Sequence, residues 1–251
     1  MKKSIKTMAC ALLLVTTANA DFLRVEAGAG AWMQKPKGGI TADGASYTGS
    51  DISKEDSTTK GYVWVLFKHF VPVVPNLRLE YTEVENDGVA NGTFKNFNAL
   101  IAPSSLKMKQ YDIIPYYNIL DNTAWITLDV GLDIKVIDAT YDLNHVVNLN
   151  TGGTSYSESK TIPLPLGYVR ARVEVPATGF GVEADVKYIT YSDNTAYDIR
   201  AKVDYTFDIT PLIQPGIEVG YRVQKYKVDK LSDIKMDLDF AGFYAGAMVR
   251  F

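Results

Sequence analysis

The chain has 251 residues, 26 Lys and Arg against 29 Asp and Glu, a formal charge of −3, 47% hydrophobic and 22% charged residues. That composition excludes collagen-like, disulfide-stapled and fully disordered chains, and the charge balance argues against a nucleic-acid partner, which calls for a basic face. No run of about 18 apolar residues is present, so no helical membrane span is available.

Residues 1–20 read as a cleaved secretory signal. Lys2, Lys3 and Lys6 open it, an apolar stretch runs from Met8 to Val15, and Ala18-Asn19-Ala20 supplies small residues for cleavage after Ala20. Cys10, the single cysteine, leaves with it. The remaining domain, 21–251, therefore forms no disulfide, although export leads to a compartment that allows them.

From Asp21 onward the dominant period is two. Segments of this kind begin near Phe22, Gly61, Leu77, Lys109, Ile126, Ile162, Gly181, Tyr197, Ile217 and Met236, which predicts ten strands. The clearest places Ile126, Leu128, Val130, Leu132, Ile134 and Val136 on one face, against Thr127, Asp129, Gly131, Asp133 and Lys135. Residues 197–207 repeat the pattern. A soluble sandwich also alternates, so the solvent is decided by other features. The strands are long enough for the ~9–11 residues of a tilted membrane strand. Aromatics such as Tyr81, Tyr111, Tyr117, Tyr188 and Tyr221 fall on the apolar faces, as interfacial girdles require.

Connections alternate in kind. Short turns are expected at Val71–Asn76, Leu120–Asn122, Pro176–Gly179 and Thr210–Pro215. Longer polar loops are expected at about Gln34–Lys60, Asn86–Ser105 and Asn144–Ser159. These features together predict an all-β fold: a transmembrane antiparallel up-and-down β-barrel of about ten strands, with short periplasmic turns and long extracellular loops.

The chain stops inside its last strand. Phe251, Val249 and Phe243 share the apolar parity, and a terminal aromatic there resembles the signal shown to the barrel-assembly machinery. The opposite parity, read as the lumen, carries acids and bases in equal number. Its candidate charges are Arg78, Glu80, Asp129, Asp133, Arg170, Arg172, Glu183, Asp185, Arg200, Lys202 and Arg222. Buried charge needs partners, and a ten-stranded barrel is narrow, so a filled lumen is expected over a wide pore. Lys107, Lys109, Lys225 and Lys227 lie outward beyond Tyr111 and Tyr221, where lipopolysaccharide phosphates are found, and are candidate contacts to it. The expected partners are outer-membrane lipid, lipopolysaccharide and the assembly machinery, with the chain a monomer.

Catalytic and metal signals are thin. The histidines are His69, beside a Pro-rich turn, and His145, in a loop, and neither has an Asp or Ser partner at a catalytic spacing. Asp43, Asp51, Glu55 and Asp56 in the first loop form no defined calcium loop. No catalytic residue, metal or cofactor is expected.

Several stretches carry a family resemblance: Pro72–Glu80, Gln110-Tyr111-Asp112, Tyr116-Tyr117, Ile119–Asn122, Leu128–Leu132, Tyr197–Val203, Gly220-Tyr221-Arg222 and Tyr244-Ala245-Gly246. Through them the chain resembles a proteobacterial outer-membrane β-barrel family with a cleaved signal, about ten strands and a terminal Phe. The resemblance implies location in the cell outer membrane and architecture, and brings no activity with it. The functional expectation is a porin-like barrel with a structural or narrow passive-permeation role. A surface adhesin or receptor using the long loops is the alternative, and a rim hydrolase a distant third.

Overall fold

The computed structural model describes residues 23–42, 45–48, 57–71, 73–94, 97–148, 154–210, 212–231 and 234–251. The expected signal at 1–20 and the acids Asp43, Asp51, Glu55 and Asp56 lie outside the described residues. The strands are β1 (Leu23–Ala42), β2 (Ala45–Thr48), β3 (Thr58–His69), β4 (Asn76–Phe94), β5 (Phe97–Thr123), β6 (Ile126–Asn144), β7 (Val147–Asn148), β8 (Ser155–Glu174), β9 (Phe180–Tyr191), β10 (Asn194–Thr206), β11 (Gln214–Leu231) and β12 (Ile234–Arg250).

All pairings are antiparallel. Apart from the short β2 and β7, each strand pairs with its sequence neighbours, and β12 returns to β1. The result is a closed up-and-down barrel of ten strands. The seam runs from Glu26↔Arg250 to Ala42↔Ile234. Both ends of the barrel domain fall on one rim, termed periplasmic here; the opposite rim is extracellular.

The wall is inside-out. Along β9, Phe180, Val182, Val186 and Tyr188 face outward and exposed, while Glu183, Asp185 and Lys187 are buried. Ile199 and Val203 on β10 and Leu132 and Ile134 on β6 are exposed likewise. In water this would place apolar surface on the wrong side; in a bilayer the lipid is its solvent, and closure pairs the strand edges through the lipid-facing belt. Rings border the apolar belt. Phe180, Tyr205 and Phe207 pack with centroids 4.8 and 5.0 Å apart near the periplasmic rim. Tyr81 with Tyr111 and Tyr221 with Phe243, at 5.2 and 4.9 Å, mark the outer boundary.

Beyond that outer boundary the polarity of the wall reverses. On β6, Ile134 and Val136 face out, yet from Ile137 the apolar residue faces in, followed by Ala139 and Tyr141. On β5, Leu106 and Met108 are buried while Lys107 and Lys109 face out; on β12, Leu238 and Phe240 are buried while Asp237 and Asp239 face out. The period of two continues unbroken, but above the membrane the outer face meets water and the inner face becomes an apolar core.

Three sequence expectations are corrected. The expected loop at about Gln34–Lys60 is partly strand: β1 runs on to Ala42 paired with β12, β2 follows, and β3 starts at Thr58. Asn86–Ser105 is mostly not a loop: β4 and β5 run on as a hairpin, paired up to Phe94↔Phe97. Its Gly, Asn and Asp content resembles a loop because neither face of this ladder meets lipid. Leu120–Asn122 belongs to β5; the turn is Ala124-Trp125, both with positive φ (52° and 69°), reached through two register shifts after Asn118.

Candidate functional site: the barrel interior

Space inside is made first. Gly28 on β1 faces Trp64, and a Cβ there would lie 2.5 Å from the indole. Gly181 on β9 faces Arg172, whose guanidinium occupies the place of a Cβ. Inward positions without side chains therefore let large ones cross the lumen.

The charged side chains then pair across it. Glu80 of β4 accepts from Arg78 (2.6 Å), Lys187 of β9 (2.7 Å) and Arg200 of β10 (2.7 Å). Arg200 also pairs with Asp185 (2.9 Å). Glu183 lies 2.9 Å from Arg170, 3.3 Å from Arg172, 3.4 Å from Arg78 and 3.6 Å from Lys202. Arg172 makes a bidentate pair with Asp204, at 2.7 and 2.9 Å. Arg170 holds Asp129 at 2.5 Å. Lys202 reaches Glu218 (2.9 Å), whose other oxygen accepts from Tyr62 Oη (2.8 Å) and Trp64 Nε1 (2.9 Å). Trp64 is also flanked by Arg78 and Lys202, 5.1 and 4.7 Å from its ring centroid, a favourable place for a cation.

The structure thus places all eleven candidate lumen charges inside and buried. Arg222 pairs with Asp198 (2.6 Å) and donates to Thr82 Oγ1 on β4 (2.9 Å). Asp133 is the outlier: its nearest paired cation, Lys187, is 4.0 Å away, and neither carboxylate oxygen has a hydrogen-bond partner.

The interior is layered. Against the upper charges lies a neutral layer that sequence reading missed, with Gln110 and Gln224 exchanging hydrogen bonds (3.0 and 3.2 Å) and Trp32 stacked against Arg222, whose guanidinium carbon is 5.1 Å from the ring centroid. Above that lies an apolar chamber of about 490 Å³, also missed. Its signal in the sequence is the parity reversal at Val136-Ile137.

The remaining candidates lie elsewhere. Phe251 follows β12 and pairs its backbone with Val25, N–H to carbonyl at 2.9 Å, so the terminal residue helps close the seam. Phe243 faces lipid and is exposed; Val249 is opposite Ala27 in the seam. Among the outward lysines, Lys225 sits between Asp237 (3.1 Å) and Asp239 (3.0 Å), and Lys107 lies 3.5 Å from Glu85. Lys109 and Lys227 are exposed. His69 shapes its turn: Nδ1 accepts from Val71 N–H (3.1 Å) and Nε2 faces the Pro75 carbonyl (3.2 Å). His145 is an exposed bend residue with φ of 57°. Among the described residues no group of three or more His, Cys, Asp and Glu is arranged to hold a metal ion.

A closed ten-strand wall, a lipid-facing belt between aromatic girdles and a charge-filled interior define an outer-membrane β-barrel protein. No protein-family model matches the chain, and no curated protein sequence matches it. Solved structures similar to it include the attachment invasion locus protein Ail of Yersinia pestis, crystallised with the heparin analogue sucrose octasulfate. That match has 13% identity, 92% of this chain and 99% of that one covered, and a TM-score of 0.34. OprG of Pseudomonas aeruginosa matches at 13% identity, 91% and 95% coverage and a TM-score of 0.34. The toluene transporter TbuX of Ralstonia pickettii matches at 6% identity, 92% and 90% coverage and a TM-score of 0.34.

Proposed function

We propose that the protein is a plugged barrel with a structural, non-catalytic role in the outer membrane, in keeping with the ten-stranded family its sequence resembles. One observation carries this reading: ion pairs join opposite walls at the level of the lipid belt, as in Glu80 with Lys187 and Arg200. A hydrated ion crossing that level has to part charges held at 2.7 Å, in a space with little water to receive them. Ions are therefore not expected to pass while these pairs are intact. The outer-rim lysines alternate with carboxylates on neighbouring strands, Lys109 opposite Glu83 and Asp138 and Lys227 opposite Asp237. Lys107 and Lys225 are already ion-paired, so the exposed Lys109 and Lys227 are the better candidates for lipopolysaccharide phosphate, and only if the carboxylates opposite them are bridged or displaced. The test is single-channel recording on the purified barrel, with Glu80→Ala/Lys187→Ala as the variant expected to leak.

A further inference from the structure

We propose that the apolar chamber above the charged plug binds one uncharged hydrocarbon group, reached from the side through a slot between β8 and β9. Its volume, about 490 Å³, falls inside the ~300–1,000 Å³ range of small-molecule pockets. The wall is made by inward residues above the outer girdle, among them Leu106, Met108, Ile137, Leu164, Ile189 and Met236. Tyr226 forms the floor: its ring lines the chamber, and its buried hydroxyl sits in the field of Lys135 and Asp198 below. Glu158, Lys160 and Lys227 also reach the lining, but most of its surface is apolar, so a ligand that fills it loses hydration without matching partners over most of its area, which favours an alkyl or aromatic group.

The slot is written in the sequence. β8 pairs with β6 along its whole length, from Asn144↔Ser155 to Ile126↔Val173. With β9 it pairs only from Gly167↔Tyr188 to Glu174↔Gly181, although β9 continues to Tyr191 on its β10 side. Pairing stops where β8 carries Pro163 and Pro165, two residues of one parity that both lack an N–H. Proline is compatible with a ladder on one side of a strand and not on both. The β6 ladder passes through both prolines, so the missing donors fall on the β9 side. Among the described residues no strand forms a ladder with Ser159–Leu166 on that side. Pro163 and Leu164 on one flank, and Ile189 and Tyr191 on the other, all line the chamber, so the slot opens into it. Tyr188, exposed and level with the outer girdle, marks the lower end of the slot as the lipid boundary. With the lumen plugged as proposed above, the chamber is left open to the extracellular side, through a slot whose lower end meets the lipid boundary at Tyr188.

The same chemistry is offered by a free hydrocarbon and by a lipid acyl chain, and the methionines allow the two to be separated. Met108 and Met236 line the chamber, Met248 is buried near the periplasmic rim, and Met33 faces lipid, 49% exposed. The full barrel in lipid nanodiscs, labelled with ¹³C-methyl methionine, is titrated with naphthalene. Saturable shifts are expected at Met108 and Met236, none at Met248, and a non-saturating drift at Met33. Ala139→Trp and Ala196→Trp, which fill the chamber, should each abolish the saturable shifts, with the Met248 resonance reporting an intact barrel. In a second arm, lipid spin-labelled at the chain end replaces part of the nanodisc lipid. Selective broadening of Met108 and Met236 assigns the site to an acyl chain, and its absence beside saturable naphthalene shifts assigns it to a free hydrocarbon. Shifts confined to Met33, or shifts at Met108 and Met236 that survive both Trp substitutions, would overturn the proposal.

Discussion

Arg200 Nη2 lies 2.7 Å from Glu80 Oε1, although β10 and β4 stand on opposite walls of the barrel. Arg78 and Lys187 share the same carboxylate. Glu80→Gln leaves three buried cations short of a counter-charge and should cost about 3–5 kcal/mol, the usual effect of removing one partner from a buried ion pair. Urea unfolding from lipid vesicles checks this. Asp133→Asn should cost under about 1 kcal/mol, because Lys187 stands 4.0 Å away and the substitution removes a carboxylate that no close cation balances. Equal losses for the two substitutions would contradict the ranking.

Gly181 leaves the space that the Arg172 guanidinium fills while it grips Asp204. Gly181→Leu should displace Arg172 and destabilise the barrel by about 1–3 kcal/mol or more, as overpacking does. Leucine at Val182, which faces lipid in the next position, serves as the control and should be near neutral. Unfolding midpoints of the two variants give the comparison.

Phe251 closes the seam against Val25 through its backbone and presents its ring outward. Deleting Phe251 should lower the yield of membrane-inserted barrel, and Phe251→Ala, which keeps the backbone pair, separates the ring from the seam. Equal insertion of wild type and both variants, followed by heat-modifiability on gels, would remove any role for this residue in assembly.

Pro165→Val restores an N–H on the β9 side of β8. The ladder should then extend past Gly167↔Tyr188 toward Tyr191, with slowed hydrogen exchange at the new amide and a gain of up to about 1 kcal/mol. An unprotected amide at position 165 would show that something other than the proline ends this pairing.

The membrane portion is plain in the sequence because lipid outside and charge inside give the strongest possible alternation, as at 126–136 and 197–207. The buried charges follow from that parity alone. What the pattern conceals is the extracellular half. Asn86–Phe94 reads as loop because Gly88, Asn91 and Gly92 share a strand that no lipid faces. Leu106, Met108, Ile137 and Ile162 fall on the parity assigned to the charged lumen, and only their side-by-side arrangement across several strands reveals a chamber. Pairing partners such as Glu80 and Arg200 depend on register around the ring, which one-dimensional alternation does not contain.

The central claim is that ion pairs between opposite walls close the lumen at membrane level. Single-channel recording in a planar bilayer tests it most directly. The purified barrel should give no steady ion conductance, and Glu80→Ala/Lys187→Ala should introduce small, flickering events. Large, stable conductance steps from the unaltered protein would contradict the account.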